Sequence, residues 1–567
     1  MTTAATPQPL QAPTGFSSST ARDNSDHPKT SSTPVRAAAA RRHHRQPPID
    51  PLSDRATESL IRKVLLPHEP GDKGRDWDSQ ARIDELLPPL TSRNDVDLQL
   101  YAFLAIILRD FVQAWYNKIT PDETFVAEVV HVLAHCTRAV EQRLRGVDLE
   151  NLIFHEVPEV LDKHIKIYRS THHDQLSPGV RVNSREAYHA LWPLPFMSPA
   201  PISGDPITTA KQLKNEAAYR QLLVQAVLTV LLPTEDLENP CLTALVGQII
   251  SELIIGNVIA NKAAQPWLLY EAVCIAARSV TEKGEGNGRI KSSKGSNPSM
   301  ETQRKWTVHG LFVSIIQLVM LFISTVRFVF NLIKMSLSLP TRASGSSKRT
   351  RDSASASATR DDPAEDSGRT VRKVPVLSFT AWRLVGNVIE LPARMPWLNG
   401  LLSLGQLGLI HGPGQVANLD GVLDRLLSHQ LQLCFSASQL PSILRTLRGS
   451  LFPNNAPGTS SLFPPSSDAE FQALRRRAAA ALWTLMPSRV GRVYFGGGLR
   501  AALGKPTDPG LEEDAIMLDE LEGLLDVVGD RYCNKHLMYS LVELILVRLI
   551  PELQESGVEE LLQERLG

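Results

Sequence analysis

Apolar residues recur along this chain every three to four positions, the period of helices that bury one face. Between 96 and 115 they fall at Leu98, Leu100, Phe103, Leu104, Ile107, Leu108, Phe111, Val112 and Trp115. The same period predicts helices over 54–66, 125–145, 148–168, 216–232, 242–259 and 267–280. Gly247 and Gly256 interrupt the fifth of these. Beyond residue 375 it returns over 379–390, 397–409, 419–433, 437–451, 469–486, 512–528 and 534–552. The first half holds no convincing run of strict apolar–polar alternation, so the expected fold class is all-α.

One stretch departs from this pattern. WTVHGLFVSIIQLVMLFISTVRFVFNLIKM, residues 306–335, has no Asp, Glu, Lys or Arg from Trp306 to Val326. About 20 such residues suffice to cross a bilayer, so the segment either spans, lies in the membrane surface, or seals an apolar lipid-binding interior. As one helix its length is about 45 Å, longer than the ~30 Å hydrocarbon core. Its first half is apolar nearly all round, whereas Ser324, Arg327, Asn331 and Lys334 form one polar stripe in the second. That polarity suits a helix resting in the interface with its cations reaching headgroups. The expected membrane-contacting residues are Phe312, Ile316, Leu321, Phe322, Arg327, Phe330 and Lys334. Arg289, Lys291, Lys294, Arg304 and Lys305 precede the segment, and Arg342, Lys348, Arg349 and Arg351 follow it. Basic flanks on both sides favour neither orientation.

Composition sets the remaining boundaries. Residues 1–52 are rich in Pro, Ser, Thr and Ala and read as a disordered tail without the pattern of a secretory signal. Residues 281–304 and 337–374 read as linkers on either side of a hydrophobic helix at 305–336. The 567 residues carry 60 basic and 60 acidic side chains, so no overall field favours nucleic acid. Five cysteines stand singly, which suits a reducing compartment and argues against a disulfide framework. His131 and His135 share a helix face as metal ligands would, but only Cys136 lies near and it points elsewhere on the helix. GEGNGR at 284–289 lacks the strand and the Gly-Lys-Ser/Thr of a phosphate loop and reads as linker. No nucleophile elbow or zinc-protease motif is present. The expectation is a non-enzyme with no catalytic residues, cofactor or metal.

LRDFVQAWYNKITPDETFVAEV and RLRGVDLENLIFHEVPEVLDKH, then LLPTEDLENPCLTALVGQIISELII, resemble the PX-associated (PXA) domain of sorting nexins. The resemblance covers about 53–280 and takes in Arg109, Asp110, Trp115, Tyr116, Asp148 and His164. Bland roles are expected for these. Arg109 and Asp110 would join helices, Trp115 anchor the core, and Asp148 and His164 make a satisfied structural pair.

More weakly, SQLPSILRTLRGSLFP, RRRAAAALWTLMPSRVGRVYFG and DRYCNKHLMYSLVELILVRLIPEL resemble the sorting-nexin C-terminal (PXC) domain, placed at 375–567. The RGS-like and phosphoinositide-binding PX domains of larger members are missing between the two, so PX-type recognition does not carry over. The resemblance implies two helical bundles packed around an apolar groove that holds lipid acyl chains. Leu245, Ile249, Ile250, Leu253 and Ile254 are the groove candidates. It also implies work in protein transport on the cytoplasmic face of endosome, vacuole or endoplasmic reticulum, with membrane lipids and trafficking proteins as partners. Halves that dock cannot sit on opposite sides of a bilayer, so a single span is disfavoured. The alternative is a membrane-anchored interaction scaffold without a lipid cavity.

Overall fold

Helix starts in this chain carry their own local signals. Ser53, Asn183, Asp205, Asn239, Ser467 and Asp530 each accept from a backbone N–H in the turn that follows. Side-chain oxygens at these positions satisfy donors that the first turn leaves open. Pro206 and Pro240 occupy the first helical position of their helices, where a missing N–H costs nothing. The computed structural model describes residues 51–66, 82–120, 124–172, 183–201, 205–289, 308–342, 373–434, 437–455, 463–486, 488–495 and 511–566. All of them fall within one unit, Asp50–Gly567. Among the described residues every regular element is helical.

Three apolar cores organise these helices. One lies wholly in the N-terminal half: Ile61, Val64 and Leu65 pack with Tyr101, Ala105, Leu108 and Val112 and with Val126, Val129 and Val130. The other two draw on both halves. Ile165, Tyr168, Tyr188, Trp192, Phe196 and Leu228 share one interior with Val527, Tyr532, Cys533 and Tyr539. Tyr270 and Cys274 share another with Leu474, Ala478, Ala479, Phe495 and Leu521. The alanines at 478 and 479, fully buried, let the Pro266–Arg289 helix approach Asp468–Leu485 closely along its length.

The same crossing recurs elsewhere. Thr380–Val388 lies on Val157–His172, Leu440–Leu451 on Asn94–Ile107, and Val558–Leu566 on Pro206–Leu231. Arg531–Leu549 packs against both Val157–His172 and Ile249–Ala263. The two halves therefore interleave, with cores that neither completes alone.

One expected boundary needs correction. The segment read as a linker from residue 281 begins as helix: Pro266–Arg289 is continuous, GEGNGR included. Its N-terminal turns are clamped on Asp468–Leu485, and once a helix is nucleated, adding residues is cheap even with glycine present. The hydrophobic helix runs Val308–Ser338. The tail at 1–50 and the linker residues 290–307 and 343–372 lie outside the described residues.

Candidate functional site

Apolar surface that a fold leaves uncovered is the feature that an acyl chain or a bilayer recognises. Among the described residues three helices are long and apolar enough to cross a membrane: Asn94–Tyr116, Pro240–Ala263 and Val319–Ser338. Their apolar windows are 41%, 17% and 6% buried, so the first is a core helix and the last stands open. The middle one carries the groove candidates. Ile249 packs partly against the N-terminal core and Ile250 against the larger shared core. Leu245 and Leu253 are half-buried, whereas Ile254 is 42% and Val258 48% exposed. One side of this helix thus belongs to the interior and the other does not.

From Ile249 to Ala263 the helix widens into a π-helix, and Gly256 is the reason that a cation approaches it. A Cβ on Gly256 would stand 3.0 Å from Arg220 Nε and 3.1 Å from the Ser251 carbonyl oxygen. Arg220 Nε donates to that carbonyl, and Nη2 to Glu252 at 2.9 Å. Glu216, 1% exposed, accepts from Arg220 Nη1, Tyr539 Oη and Gln212 Nε2, and from Lys535 Nζ at 3.1 Å. This buried network joins the Pro206–Leu231 helix to Arg531–Leu549 across the two halves. Burial pushes the Lys535 ammonium below its ordinary value against the opposing pull of Glu216. On the same seam His164 Nε2 donates to the Val527 carbonyl at 3.1 Å, so Nδ1 accepts from Tyr188 Oη at 2.8 Å.

The hydrophobic helix is rooted at one end. Along it Phe322, Arg327, Phe330 and Lys334 are exposed, as is Leu321, while Ser336 is buried where the helix meets Val422–Cys434. Lys334 Nζ sits 5.0 Å over the Phe330 ring. Phe312 and Ile316 lie on the helix, but their side chains fall outside the described set. Arg342, one of the basic residues that follow the segment, has its side chain 8% exposed between Glu150 and Asp424. Its Nη1 donates to Asp424 at 2.7 Å and its Nη2 to Glu150 at 2.8 Å. Two carboxylates offset the cost of burying the guanidinium, and they pin the end of the helix to the body.

The motif residues occupy separate places. Arg109 pairs with Asp110 inside the π-helix Leu108–Gln113 and reaches the Asn455 carbonyl at 2.6 Å. Trp115 is a second correction: it is 41% exposed and stands edge-on to Tyr116, which stacks on Phe125. The π-turn before it rotates the indole away from the core face that simple 3.6-residue counting assigns. Asp148 caps Leu149–Asn151 through the Asn151 N–H. Both ring nitrogens of His164 are taken by Tyr188 and Val527, so it is not paired with Asp148. His131 and His135 are exposed, and no group of three metal-ligating side chains occurs among the described residues. Glu216, Arg220 and Lys535 escaped the sequence reading, as did the buried pairing of Arg342, since no motif marks a residue buried by a distant partner.

Within this all-α architecture, residues 93–276 match the PXA domain. Among curated relatives, the chain is 23% identical over 253 residues to PXA domain protein 1 of Schizosaccharomyces pombe, a match covering 44% of each chain. It is 21% identical over 234 residues to Sorting nexin-13 of Homo sapiens, covering 39% of this chain and 24% of that one. Sorting nexin-13 of Mus musculus is 20% identical over 205 residues, covering 34% and 21%. The matched stretches thus span less than half the length of these relatives. No solved structure matches the chain.

Proposed function

We propose that this chain is a non-enzymatic, membrane-associated protein of endosomal or vacuolar transport that holds lipid acyl chains between its two helical halves. The observation that carries this reading is the Pro240–Ala263 helix. It meets the carboxy-terminal half at Asn534, whose Nδ2 donates to the Ala264 carbonyl, yet leaves Ile254 and Val258 uncovered. An acyl chain laid on that face buries methylenes at about 0.8 kcal/mol each, so a single chain supplies ample driving force. The relatives named sorting nexins favour a role in membrane traffic, and the exposed Val319–Ser338 part of the long apolar helix favours attachment to an endomembrane surface from the cytoplasmic side. Leu245, Ile249, Ile250, Leu253 and Ile254 would line the lipid, while Phe312, Ile316, Leu321, Phe322, Arg327, Phe330 and Lys334 would meet the membrane.

The test is mass spectrometry of lipid that co-purifies with the full chain, followed by uptake of a fluorescent phospholipid by delipidated protein. Ile254→Asp places a charge on an already exposed position and is expected to reduce uptake about tenfold or more without unfolding the protein. Absence of both co-purifying lipid and uptake would leave an anchored interaction scaffold as the surviving reading.

A further inference from the structure

Between Arg394 and Asp420 the chain carries no Asp, Glu, Lys or Arg, and His411 is its only titratable side chain there. Most of this stretch is one helix, Pro396–His411. Its polarity is the reverse of what water selects. Gln406 turns toward the protein and donates to the Leu377 carbonyl, Asn399 is half-buried, Ser403 is exposed, and Ile410 is buried at the root. Trp397, Leu401, Leu402, Leu404 and Leu407 face outward, Trp397 and Leu404 each 68% exposed. A Cβ added at Gly400, Gly405 or Gly408 would meet nothing within 4 Å, so none of the described residues covers this face. A helix at a protein–water boundary puts its polar residues out and its apolar ones in. The inverted order is stable where the outer medium is hydrocarbon.

Position specifies that medium. The turn Val376–Ser378 ties together several uncovered elements. Val376 N donates to Asp424, which also holds Arg342 at the end of Val308–Ser338. The Val376 carbonyl accepts from Nε1 of Trp382, itself half exposed, and the Leu377 carbonyl accepts from Gln406. The long apolar helix, an exposed tryptophan and the inverted helix therefore share one anchor. Sixteen residues extend about 24 Å, too short to cross a ~30 Å core and suited to lying in the interface. Tryptophan is the residue that favours that depth.

We propose that Pro396–His411 is a second membrane-docking element, an interfacial helix that seats its leucine face in the bilayer beside Val308–Ser338. The inference rests on the membrane association proposed above and adds a second contact to it. It is tested in the full chain with an environment-sensitive NBD label at Leu404→Cys, Gln406→Cys or Phe322→Cys, each in a Cys136→Ser, Cys241→Ser, Cys434→Ser background whose own unlabelled signal is subtracted. The membranes are phosphatidylcholine–phosphatidylserine vesicles with or without nitroxide-labelled acyl chains. The expected result is a blue shift and nitroxide quenching at 404 and 322 but not at 406. A response at 322 without one at 404 overturns this inference and leaves the membrane reading standing; silence at both overturns the two together. A blue shift at 404 that needs no vesicles and grows with protein concentration also overturns it, since a second copy then covers the face. Leu401→Glu with Leu404→Glu, both at exposed positions, is expected to weaken vesicle partitioning about tenfold or more while helical circular dichroism is unchanged. Unchanged partitioning would count against the proposal.

Discussion

Glu216 sits 1% exposed between Arg220 and Lys535, and its two oxygens accept from four side chains. Replacing it with Leu would leave two cations facing each other in the interior, a change that typically costs about 3–5 kcal/mol. Urea unfolding is expected to show that loss, and a change below about 1 kcal/mol would mean that water reaches the network. Gly256→Ala pushes a methyl onto Arg220 and the Ser251 carbonyl, so a loss of about 1–3 kcal/mol is expected in the same assay. The histidines supply a pH dependence with a definite sign. Burial lowers His164 from 6.5 to about 4 and His536 from 6.5 to about 3. Each is neutral in the fold and gains a proton more readily when unfolded. Their contribution is therefore complete above pH 6.5 and is lost as pH falls toward 4 and then 3. Protonation of His164 at Nδ1 removes the acceptor that Tyr188 uses. Melting temperature should fall across this window, and His164→Gln should flatten its upper part. None of these sites shows in local sequence, because Glu216 and Lys535 stand 319 positions apart. His164 lay within a recognised motif, yet the motif did not reveal its partner Val527, 363 positions on.

At the scale of elements, helix content was legible because buried faces impose a 3.6-residue period whatever covers them. The core helix run Asn94–Tyr116 is anticipated by that period, and the long apolar helix Val308–Ser338 by its uncharged apolar run, each within a few residues. Helix ends and the outward face were harder. Gly284, Gly286 and Gly288 suggested a linker where tertiary clamping extends Pro266–Arg289. Periodicity also cannot say which face of Pro396–His411 is out, since a stripe of Asn399, Ser403 and Gln406 looks the same pointing either way. The anchor of Val308–Ser338 gives an element-scale prediction. Asp424, 1% exposed, accepts from Arg342 and from the backbone N–H groups of Val376 and Asp420. Asp424→Ala strands a buried guanidinium and two amide donors, so a loss of about 3–5 kcal/mol is expected. Limited proteolysis should then cut near 340 faster than in the parent chain, and an unchanged rate would mean that Glu150 alone holds the root.

For the molecule as a whole, the shared cores require that the proposed membrane attachment keep both halves on one side. Tyr168 and Tyr188 share an interior with Tyr532 and Tyr539, so the halves cannot separate without opening it to water. Residues 290–307, which include Lys291, Lys294, Glu301, Arg304 and Lys305, are too polar to recross hydrocarbon. The Val308–Ser338 helix, about 46 Å long, is rooted in the body at Arg342 and follows this polar stretch. A single crossing would carry residues before 290 to the far side and tear Glu216 from Lys535 and His164 from Val527. Lying in the interface satisfies both the apolar helix and the shared cores. Tags at the two termini should therefore both be digested by protease added to intact membranes. After cleavage at a site inserted within 343–372, the two fragments should still migrate as one species in mild detergent and part only in denaturant. One protected tag, together with fragments that separate freely, would place the halves on opposite faces and dissolve the seam on which the proposed lipid binding rests.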